Sequence, residues 1–495
     1  MLWKATVGSM TLVVVPLSNP EPRFLIERSR LAKTAGADAV EVRMDLCLAE
    51  GGSPDAIIEA IPHLALPAIV TLRHAREHGS WDGEESDRLE LYRKADAAGA
   101  AWIDRELVFH AARPWRPERA KLILSNHDFH GPGQDLPGKI TAMRSLHADV
   151  AKVAVTPRDA ADLAAVRSLI DGRGPVAAMA MGEHGLPSRL LAGVWGSALV
   201  FARLPGDAGS APGQPTTEDL LGMCRLRQQS ASTRIYGVIG SPIAHSLSPL
   251  IHNLAFAHHQ LDAVYVPFRV EDAPAFWDAC GSWIDGLSIT IPHKHALQER
   301  MEDLEPLCDL VGAMNTIYRH EGRLTGANTD ADAIRRCGER AIGPLKGRRV
   351  LVLGAGGAGR AAVFTLKAGG AQVALANRTQ ARADELAREV GCRSVAWTAL
   401  ADEPFDLLVN MTSVGLKAPQ DSPWTHDFPP GSGVFDSVYN PLRTRLICDA
   451  EAAGCRTVLG LDMFIDQAVA QFRRWSGLEA PADVMRAACV ARLSA

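Results

Sequence analysis

The nine cysteines of this sequence are scattered along the chain, and no two of them form a C-x-x-C pair. This absence excludes a zinc site built on paired cysteines and the dense disulfide framework of a small secreted domain. It predicts unpaired thiols in a reducing, cytoplasmic compartment, and no metal site is predicted elsewhere in the sequence.

Long apolar runs and an excess of positive charge are also absent. No apolar run approaches the ~18 residues that a membrane span needs. The start, MLWKATVGSMTLVVVPL, has one Lys and a short apolar run that ends at Pro16, which predicts a first strand rather than a secretion signal or a transit peptide. A net charge of -5 argues against nucleic acid as a partner, whereas a small anionic substrate needs only a few local cations.

Residues 11–203 contain a recurring alternation of short β-type runs with amphipathic, helix-like segments. The predicted strands are TLVVVP (11–16), AVEVRM (39–44), AIVTLR (68–73), WIDREL (102–107), KLILSN (121–126), DVAKVAV (149–155), PVAAMAM (175–181) and ALVFAR (198–203). Eight strands alternating with helices predict a closed (β/α)8 TIM barrel. The alternative, an open doubly wound sheet, would want a Gly-rich phosphate turn early in the chain, and this sequence has none there.

The second half of the chain begins a different α/β pattern. A loop rich in Gly, Pro and Ala at 205–215 and a polar seam at 227–233 place the domain boundary near residue 230. The segment 345–366 then reads as strand, Gly-rich turn and helix, which opens a βαβ unit that runs to about residue 460 and is followed by two helices.

Ionisable residues stand at the ends of the predicted barrel strands, where the catalytic groups of such barrels lie. Lys152 lies in the strand run V-A-K-V-A-V, between small apolar residues. Burial favours the neutral form of an amine, and a neutral amine can attack a carbonyl to form a Schiff base. The alternative is a strand-edge lysine that extends to solvent. His127 follows the neighbouring strand and is a candidate proton carrier, although a single histidine is more often structural.

The barrel region resembles the type I 3-dehydroquinate dehydratases. The matching strings are E-V-R-M-D (41–45), T-L-R-x-x-x-E (71–77), S-N-H-D-F (125–129), K-V-A-V-T-P (152–157), S-R (188–189) and S-A-P-G-Q (210–214). The resemblance implies that Lys152 forms an imine with the C3 ketone, and that His127, supported by Glu77, removes the C2 proton and assists loss of the C1 hydroxyl. The residues it implies for holding the substrate are Glu41, Arg43, Arg73, Arg189, Ser210 and Gln214. The family usually has Gly where this chain has His78, which bears on the geometry of that loop.

A second site is indicated by the string G-A-G-G-A-G (354–359), which follows a strand and opens a helix. This context predicts a dinucleotide pyrophosphate site at Gly354, Gly356, Gly357 and Gly359. The next strand ends at Asn377-Arg378-Thr379, where an NAD site would carry an acidic residue. An arginine there suits a 2′-phosphate, so NADP is the predicted cofactor; the alternative is a solvated helix-entry arginine.

Residues 234–478 resemble the shikimate dehydrogenases. The strings that carry the resemblance are S-P-I-A-H-S-L-S-P (241–249), S-I-T-I-P-H-K (288–294), A-M-N-T (313–316), G-A-N-T-D (326–330), N-M-T-S-V-G (410–415), D-S-V-Y-N-P (436–441) and G-L-D-M-F-I-D-Q-A (460–468). Singly, each of the earlier strings is an ordinary loop element.

The resemblance implies that Lys294 and Asp330 are the catalytic pair that moves a proton at the C3 oxygen as hydride passes. The residues it implies for substrate are Ser246, Ser248, Thr290, Asn315 and Gln467, and those for NADP are the glycines above with Asn377, Arg378, Thr379 and Met463. Ser288, where many members carry Asn, departs from the pattern near the substrate, as do Ala327 and Met411 at other positions.

The two resemblances are consistent, because the expected product of the first half, 3-dehydroshikimate, is the expected substrate of the second. Their order is that of the bifunctional enzymes of the aromatic-amino-acid route. The predicted domains are a barrel over 1–228, a substrate domain over 234–335 completed by helices within 461–495, and a Rossmann NADP-binding domain over 336–460. Two alternatives are a second half that uses quinate or accepts NAD, and a non-enzymatic repressor-like homologue, which would be expected to have lost its catalytic residues.

Overall fold

A computed structural model describes residues 10–494 of the chain. These residues form two compact units, of which the first runs to Gly237 and adds Ser241–Ala244 and Asp262–Ile284. The predicted first strand is confirmed at Leu12–Leu17, and the residues before position 10 lie outside the described part of the chain.

Eight parallel strands of the first unit form the predicted barrel. They are β1 (Leu12–Leu17), β2 (Ala39–Arg43), β3 (Ala68–Thr71), β4 (Trp102–Glu106), β5 (Lys121–Asp128), β6 (Val150–Val155), β7 (Val176–Ala180) and β8 (Leu199–Phe201). Hydrogen bonding runs in the order β7-β6-β5-β4-β3-β2-β1-β8. Between β7 and β8 the amide of Ala198 donates to the carbonyl of Val176 at 2.8 Å, so the sheet closes nearly completely on itself.

Helices alternate with these strands. They are α1 (Pro22–Thr34), α2 (Met44–Ala49), α3 (Pro54–Ala60), α4 (Glu85–Ala97), α5 (Leu107–Ala112), α6 (Leu136–Ser145), α7 (Leu163–Ser168), α8 (Gly182–Leu190) and α9 (Ala192–Trp195). The strands read as continuous apolar runs because both of their faces are covered. Val150 and Ala154 belong to a core cluster with Val14 and Ile123. Lys152 lies between Val150 and Ala154 in β6 and shares their face, since strand side chains alternate with a period of two.

A six-stranded mixed sheet follows in sequence, in the order β10-β9-β11-β13-β14-β12. Its strands are β9 (Arg234–Gly240), β10 (Ala263–Arg269), β11 (Gly286–Ile289), β12 (Asp303–Leu304), β13 (Thr316–His320) and β14 (Arg323–Ala327). The helices in this stretch are α10 (Ser248–His258), α11 (Ala273–Cys280), α12 (Pro306–Val311) and α13 (Thr329–Ile342). Strands β13 and β14 pair antiparallel as a hairpin that the sequence reading treated as loops.

The third sheet is parallel, in the order β17-β16-β15-β18-β19-β20. Its strands are β15 (Arg349–Leu353), β16 (Gln372–Ala376), β17 (Arg393–Ser394), β18 (Leu407–Asn410), β19 (Gly433–Asp436) and β20 (Arg456–Val458). Its helices are α14 (Gly357–Ala368), α15 (Gln380–Val390) and α16 (Arg445–Ala452), and the predicted pair that ends the chain is α17 (Gly460–Ser476) and α18 (Ala482–Ser494). The order reverses at β15, which is the switch point where such sheets bind dinucleotides. None of the helices in residues 10–494 is long and apolar enough to cross a membrane.

Candidate active sites

Lys152 lies in the dry interior of the barrel. The residue is 4% exposed, which excludes the alternative of a lysine that extends to solvent. Its amine donates to Asp104 Oδ2 at 2.8 Å and lies 3.8 Å from Glu41 Oε1. The same nitrogen stands 4.3 Å from the centre of the Phe201 ring. A single amine is therefore enclosed by two carboxylates and an aromatic face, which is a reactive setting rather than a packing position.

Asp104 connects Lys152 to the next cation of the site. Its Oδ1 accepts a hydrogen bond from Arg73 Nη2 at 3.0 Å and another from the Ser125 hydroxyl at 2.6 Å. Arg73 also donates to Ser125 at 2.7 Å, which closes a triangle. Although burial opposes ionisation, Arg73 and Lys152 hold the pKa of Asp104 well below its usual range. A permanent negative charge therefore lies between the two cations.

His127 and Glu77 form a hydrogen-bonded pair beside this network. Glu77 Oε2 lies 2.9 Å from His127 Nδ1 and also accepts from the His127 backbone amide at 2.9 Å. Burial, with the charges of Arg73 and Lys152, lowers the pKa of His127 well below its usual value. Burial raises the pKa of Glu77 to about 7. A neutral imidazole whose Nδ1 faces a carboxylate presents Nε2 as the available base.

The sequence reading placed His127 after its strand, but β5 continues to Asp128 and includes it. The register pairs Ser125 with Lys152 and His127 with Ala154. Positions 125 and 127 lie two residues apart and therefore share a face. The longer strand fixes the backbone of the candidate base in the same ladder as the candidate nucleophile.

Glu41 and Arg43 leave the same face of β2. Thr71 donates to Glu41 Oε1 at 2.9 Å, and Arg43 makes a two-point ion pair with Asp45 at 3.0 and 2.8 Å. The structure thus places Glu41 beside Lys152, whereas the guanidinium of Arg43 is bound to a neighbouring carboxylate that the sequence reading did not assign.

Arg189 stands at the end of α8 and is 2% exposed. No ion pair to it is found among residues 10–494, and its one hydrogen bond runs to the Phe201 carbonyl at 3.4 Å. Burial lowers the pKa of this guanidinium to about 10. A buried guanidinium without a counter-ion is costly, and an anionic ligand would supply the missing charge.

Ser210 and Gln214 belong to the loop after β8, which lines an open cavity of about 630 Å³. The Ser210 amide donates to Gln214 Oε1 at 2.8 Å. The Gln214 Nε2 is buried and has no hydrogen-bond partner among the described residues. The Oε1 atom of Gln214 therefore orders the loop, and its Nε2 atom is available to donate to a ligand.

The candidate pair of the second half is also in direct contact. Lys294 Nζ lies 2.6 Å from Asp330 Oδ2, and the two side chains are 20% and 14% exposed. Strand β11 stops at Ile289, so Thr290 and Lys294 follow the strand. Both lie in the turn that follows, because the Thr290 carbonyl accepts the His293 amide at 2.9 Å and closes the chain back on itself. Asp330 lies in the first turn of α13.

Asn315 is held in a buried polar network beside this pair. Its Oδ1 accepts from the Thr329 amide at 2.8 Å and from the Thr316 hydroxyl at 2.9 Å. Gln471 donates to Thr316 Oγ1 at 3.1 Å and accepts from Ser288 at 3.0 Å. The Ser288 hydroxyl is thus directed to a neighbouring helix.

Other predicted substrate residues lie on elements of the same half. Ser248 begins α10, and its amide donates to Ser246 Oγ at 3.3 Å, so the two serines share one turn. Gln467, in α17, is 8% exposed and donates to the carbonyl of Phe464 on its own helix.

The Gly-rich turn has the close packing that a dinucleotide site needs. Gly354 has φ +108°, and a Cβ on Gly359 would lie 2.0 Å from the Gly354 carbonyl oxygen. Around Gly356 and Gly357, in contrast, a Cβ would meet nothing within 4 Å. The outer glycines are thus required by the strand-to-helix turn, whereas the inner two leave room for a ligand at the start of α14.

Asn377, Arg378 and Thr379 follow β16 as predicted. Asn377 Oδ1 accepts the Ala355 amide at 3.2 Å and so ties this segment to the Gly-rich turn. Arg378 is exposed, and no ion pair to it is found in residues 10–494. Met463 is half-buried in α17 against the core of the dinucleotide-binding sheet. Arg378 is thus a cation without an ion pair among the described residues, and it lies beside the Gly-rich turn. This arrangement suits a dinucleotide that carries an additional phosphate.

Some residues of the barrel site were not assigned from the sequence. They are Asp45, Asp104, Ser125 and Phe201. The sequence did contain an indication for Asp104, because it lies on a predicted strand that ends in ionisable residues. For Phe201 the sequence contained no such indication.

Comparison with known families agrees with this division of the chain. A family model described as type I 3-dehydroquinase matches residues 13–231. Three further models match the rest, namely shikimate dehydrogenase substrate binding domain (238–317), shikimate / quinate 5-dehydrogenase (336–410) and shikimate 5'-dehydrogenase C-terminal domain (460–489).

One relative spans both regions. The bifunctional 3-dehydroquinate dehydratase/shikimate dehydrogenase, chloroplastic, of Arabidopsis thaliana is 36% identical over 508 residues, covering 97% of this chain and 84% of that protein. The chain belongs to this bifunctional family. In this chain, the dehydroquinase region contains Lys152, and the shikimate dehydrogenase region contains Lys294.

Other relatives match the shikimate dehydrogenase region alone. The shikimate dehydrogenase (NADP(+)) of Halobacterium salinarum is 42% identical over 268 residues, covering 52% of this chain and 99% of that protein. A crystal structure of shikimate 5-dehydrogenase from Thermus thermophilus in complex with NADP(H) and shikimate is 38% identical, covers 52% of this chain and 99% of that chain, and aligns with a TM-score of 0.48.

Proposed function

We propose that the chain dehydrates 3-dehydroquinate to 3-dehydroshikimate in its barrel and reduces 3-dehydroshikimate to shikimate in its second half with NADPH. The observation that carries the proposal is the buried amine of Lys152, 2.8 Å from Asp104 and on the strand next to His127. Its counterpart in the second half is the Lys294–Asp330 pair at 2.6 Å. Membership of the bifunctional family supports both activities.

In the barrel, Lys152 first releases its proton to solvent; the neutral Nζ then attacks the C3 ketone, and loss of water leaves an imine. Electron withdrawal by the imine makes the C2 proton acidic, and His127 Nε2 accepts it. The C1 hydroxyl then leaves as water with the proton that His127 returns, and hydrolysis of the imine releases product and the free amine. Glu77 holds the imidazole through Nδ1, which fixes the tautomer that presents a basic Nε2.

The substrate would be held by charge and hydrogen bonding around this amine. Arg189 is a buried guanidinium without an ion pair among the described residues, and it suits the substrate carboxylate. Glu41, Arg43 and Arg73 would bind hydroxyl groups. Ser210 and Gln214 would close over the ligand, with the unpartnered Gln214 Nε2 as a donor.

In the second half, the proposed proton carrier is Lys294, and Asp330 holds it in place. Lys294 would donate a proton to the C3 oxygen as the ketone is reduced, and Asp330 would keep the ammonium directed at that oxygen. Asn315, Thr290 and Gln467 would bind ring hydroxyls, and the hydroxyls of Ser246 and Ser248 would bind the carboxylate.

NADPH supplies the hydride when it is bound. Gly356 and Gly357 would receive the pyrophosphate at the start of α14, while Gly354 and Gly359 keep the turn tight. Asn377 and Thr379 would line the adenosine ribose, Arg378 would pair with the 2′-phosphate, and Met463 would pack near the nicotinamide. The exposed position of Arg378 supports this assignment.

The domain bounds proposed for this chain are 1–228, 234–335 with 461–495, and 336–460. A cytoplasmic location is proposed with them, although the name of the Arabidopsis relative places that protein in the chloroplast. The proposed partners are the small-molecule substrates and NADP alone, without nucleic acid or membrane.

A coupled assay of the intact chain tests the proposal. With 3-dehydroquinate and NADPH, nicotinamide oxidation and shikimate should appear together, and either Lys152→Ala or Lys294→Ala should stop them. Initial rates with shikimate or quinate, each with NADP or NAD, separate the proposed activity from a quinate-using or NAD-using enzyme. A chain that binds these substrates without turnover would support the repressor-like alternative instead.

A further inference from the structure

His78 adopts an unusual backbone conformation directly after Glu77. Its φ is +57° and its ψ is +31°, which is the left-handed region. That region is costly for an L-residue with a side chain. Strain of this kind persists where the side chain does something that glycine cannot.

The side chain of His78 makes two contacts with the segment that follows β5. Its ring lies 4.3 Å from the ring of Phe129, and its Nε2 lies 3.3 Å from His130 Nε2. Phe129 in turn stacks on the ring of His127, with centroids 6.5 Å apart. The imidazole of His78 therefore reaches His127 through one intervening ring.

These contacts join the two segments that carry the candidate base and its carboxylate. The segment around Glu77 is anchored at its ends, where the His74 amide donates to Glu106 at 2.7 Å and the Ser80 amide donates to Asp45 at 3.1 Å. Between those anchors, the side-chain ties to the β5 segment are the Glu77–His127 bonds and the contacts of His78.

We propose that His78, Phe129 and His130 form a clasp that holds Glu77 against His127. In this arrangement His78 is a positioning residue for dehydration, acting through Phe129 and the segment it fastens. The inference rests on the proposed roles of Glu77 and His127. It adds that a histidine in the left-handed region fastens this loop.

The clasp makes a specific prediction about rate and stability. His78→Gly should lower the dehydratase kcat by about three- to tenfold, well short of the ~10²-fold that a 1 Å misplacement can cost. KM should stay unchanged, because the arginines that would bind substrate are untouched. The melting temperature should hold or rise, since glycine relieves the left-handed strain.

A double-mutant cycle separates a clasp from two independent contacts. His130→Ala and His78→Ala should each reduce dehydratase kcat to a similar extent, and the double variant should lose no more than either single variant. Dehydrogenase activity of the same molecules serves as the folding control and should not change.

Unaltered kcat in His78→Gly, or losses that multiply in the double variant, would overturn the clasp. So would a fall in kcat that tracks a fall in melting temperature, because a purely structural role predicts that correlation. Failure of the proposed catalytic roles is a different result, namely retained dehydratase activity in Lys152→Ala, which does not involve His78.

Discussion

The two candidate sites share one element, a lysine hydrogen-bonded to an aspartate, but differ in how that pair is surrounded. Lys152 and Asp104 are 5% and 0% exposed in their side chains, inside a barrel and among further charges. Lys294 and Asp330 are 20% and 14% exposed, in a turn and at a helix start. The buried lysine suits covalent attack on a ketone, whereas the more open pair suits exchange of a proton with a ligand and solvent.

The two sites also differ in how much folding stability is lost when the lysine is removed. Around Lys152, Asp104 and Glu41 would lose a shared cation, and breaking a buried ion pair costs ~3–5 kcal/mol of folding stability. Around Lys294 the remaining carboxylate can be hydrated, so a smaller structural cost is expected.

The largest expected effect is the reciprocal loss of one activity in each lysine variant. Lys152→Ala should reduce dehydration beyond the ~10²–10⁴-fold typical of a single acid–base group, because the covalent route is lost. Lys294→Ala should lower dehydrogenase turnover by about 10²-fold or more. Each variant should retain the other activity, which also reports on folding.

If either variant lost both activities while it remained folded at the assay temperature, with a cooperative melting curve, the two sites would not be independent. The conclusion that Lys152 acts covalently in one site and Lys294 transfers a proton in another would then be wrong.

A smaller effect is expected at the cofactor. Arg378→Ala should weaken NADP binding by about tenfold or more, as expected for loss of a charge-assisted hydrogen bond, and should leave NAD almost unaffected. Arg388→Ala, in the last turn of α15, the helix that follows Arg378, is the matched control. Equal weakening of NADP and NAD, measured by titration, would remove Arg378 from the 2′-phosphate site.

The smallest effect concerns the pH dependence of dehydration. Because burial raises the pKa of Glu77 to about 7, this carboxylate gains a proton as pH falls through neutrality and no longer holds His127 Nδ1 as an acceptor. The dehydratase rate should therefore fall several-fold below about pH 7, in addition to the ordinary loss at acid pH. In Glu77→Gln the rate should be lower at pH 8, and this step near neutrality should be absent.

A pH–rate profile of the variant that keeps the wild-type step would show that another group produces it. Dehydrogenase rates measured in the same buffers indicate whether the whole chain is affected by acid.

Much of this architecture could be predicted from local sequence patterns. Apolar runs bounded by turn residues located each of the eight barrel strands to within a few residues, and the position of Lys152 in V-A-K-V-A-V predicted its burial. The Gly-rich turn was likewise predictable, because a strand, four glycines and a helix leave few alternatives.

The sequence alone did not predict which side chains contact the catalytic residues. Asp104 lies 48 positions before Lys152, and the pairing of β4 and β6 with β5 brings the two side chains within 2.8 Å. The β13–β14 hairpin beside Asn315 was missed because its strands are short and carry charged residues at the turn. The first of these contacts joins positions far apart in the sequence and is not visible in a local pattern, whereas the hairpin is a local pairing.

The most direct test of the account is chemical trapping at Lys152. Borohydride added with 3-dehydroquinate should reduce the imine and attach the ligand to that residue, as mapped by mass spectrometry of peptides, with loss of dehydratase and retention of dehydrogenase activity. No attachment should occur in Lys152→Ala. Attachment at a different lysine, or full dehydratase activity after complete reduction, would contradict the covalent role of the buried amine.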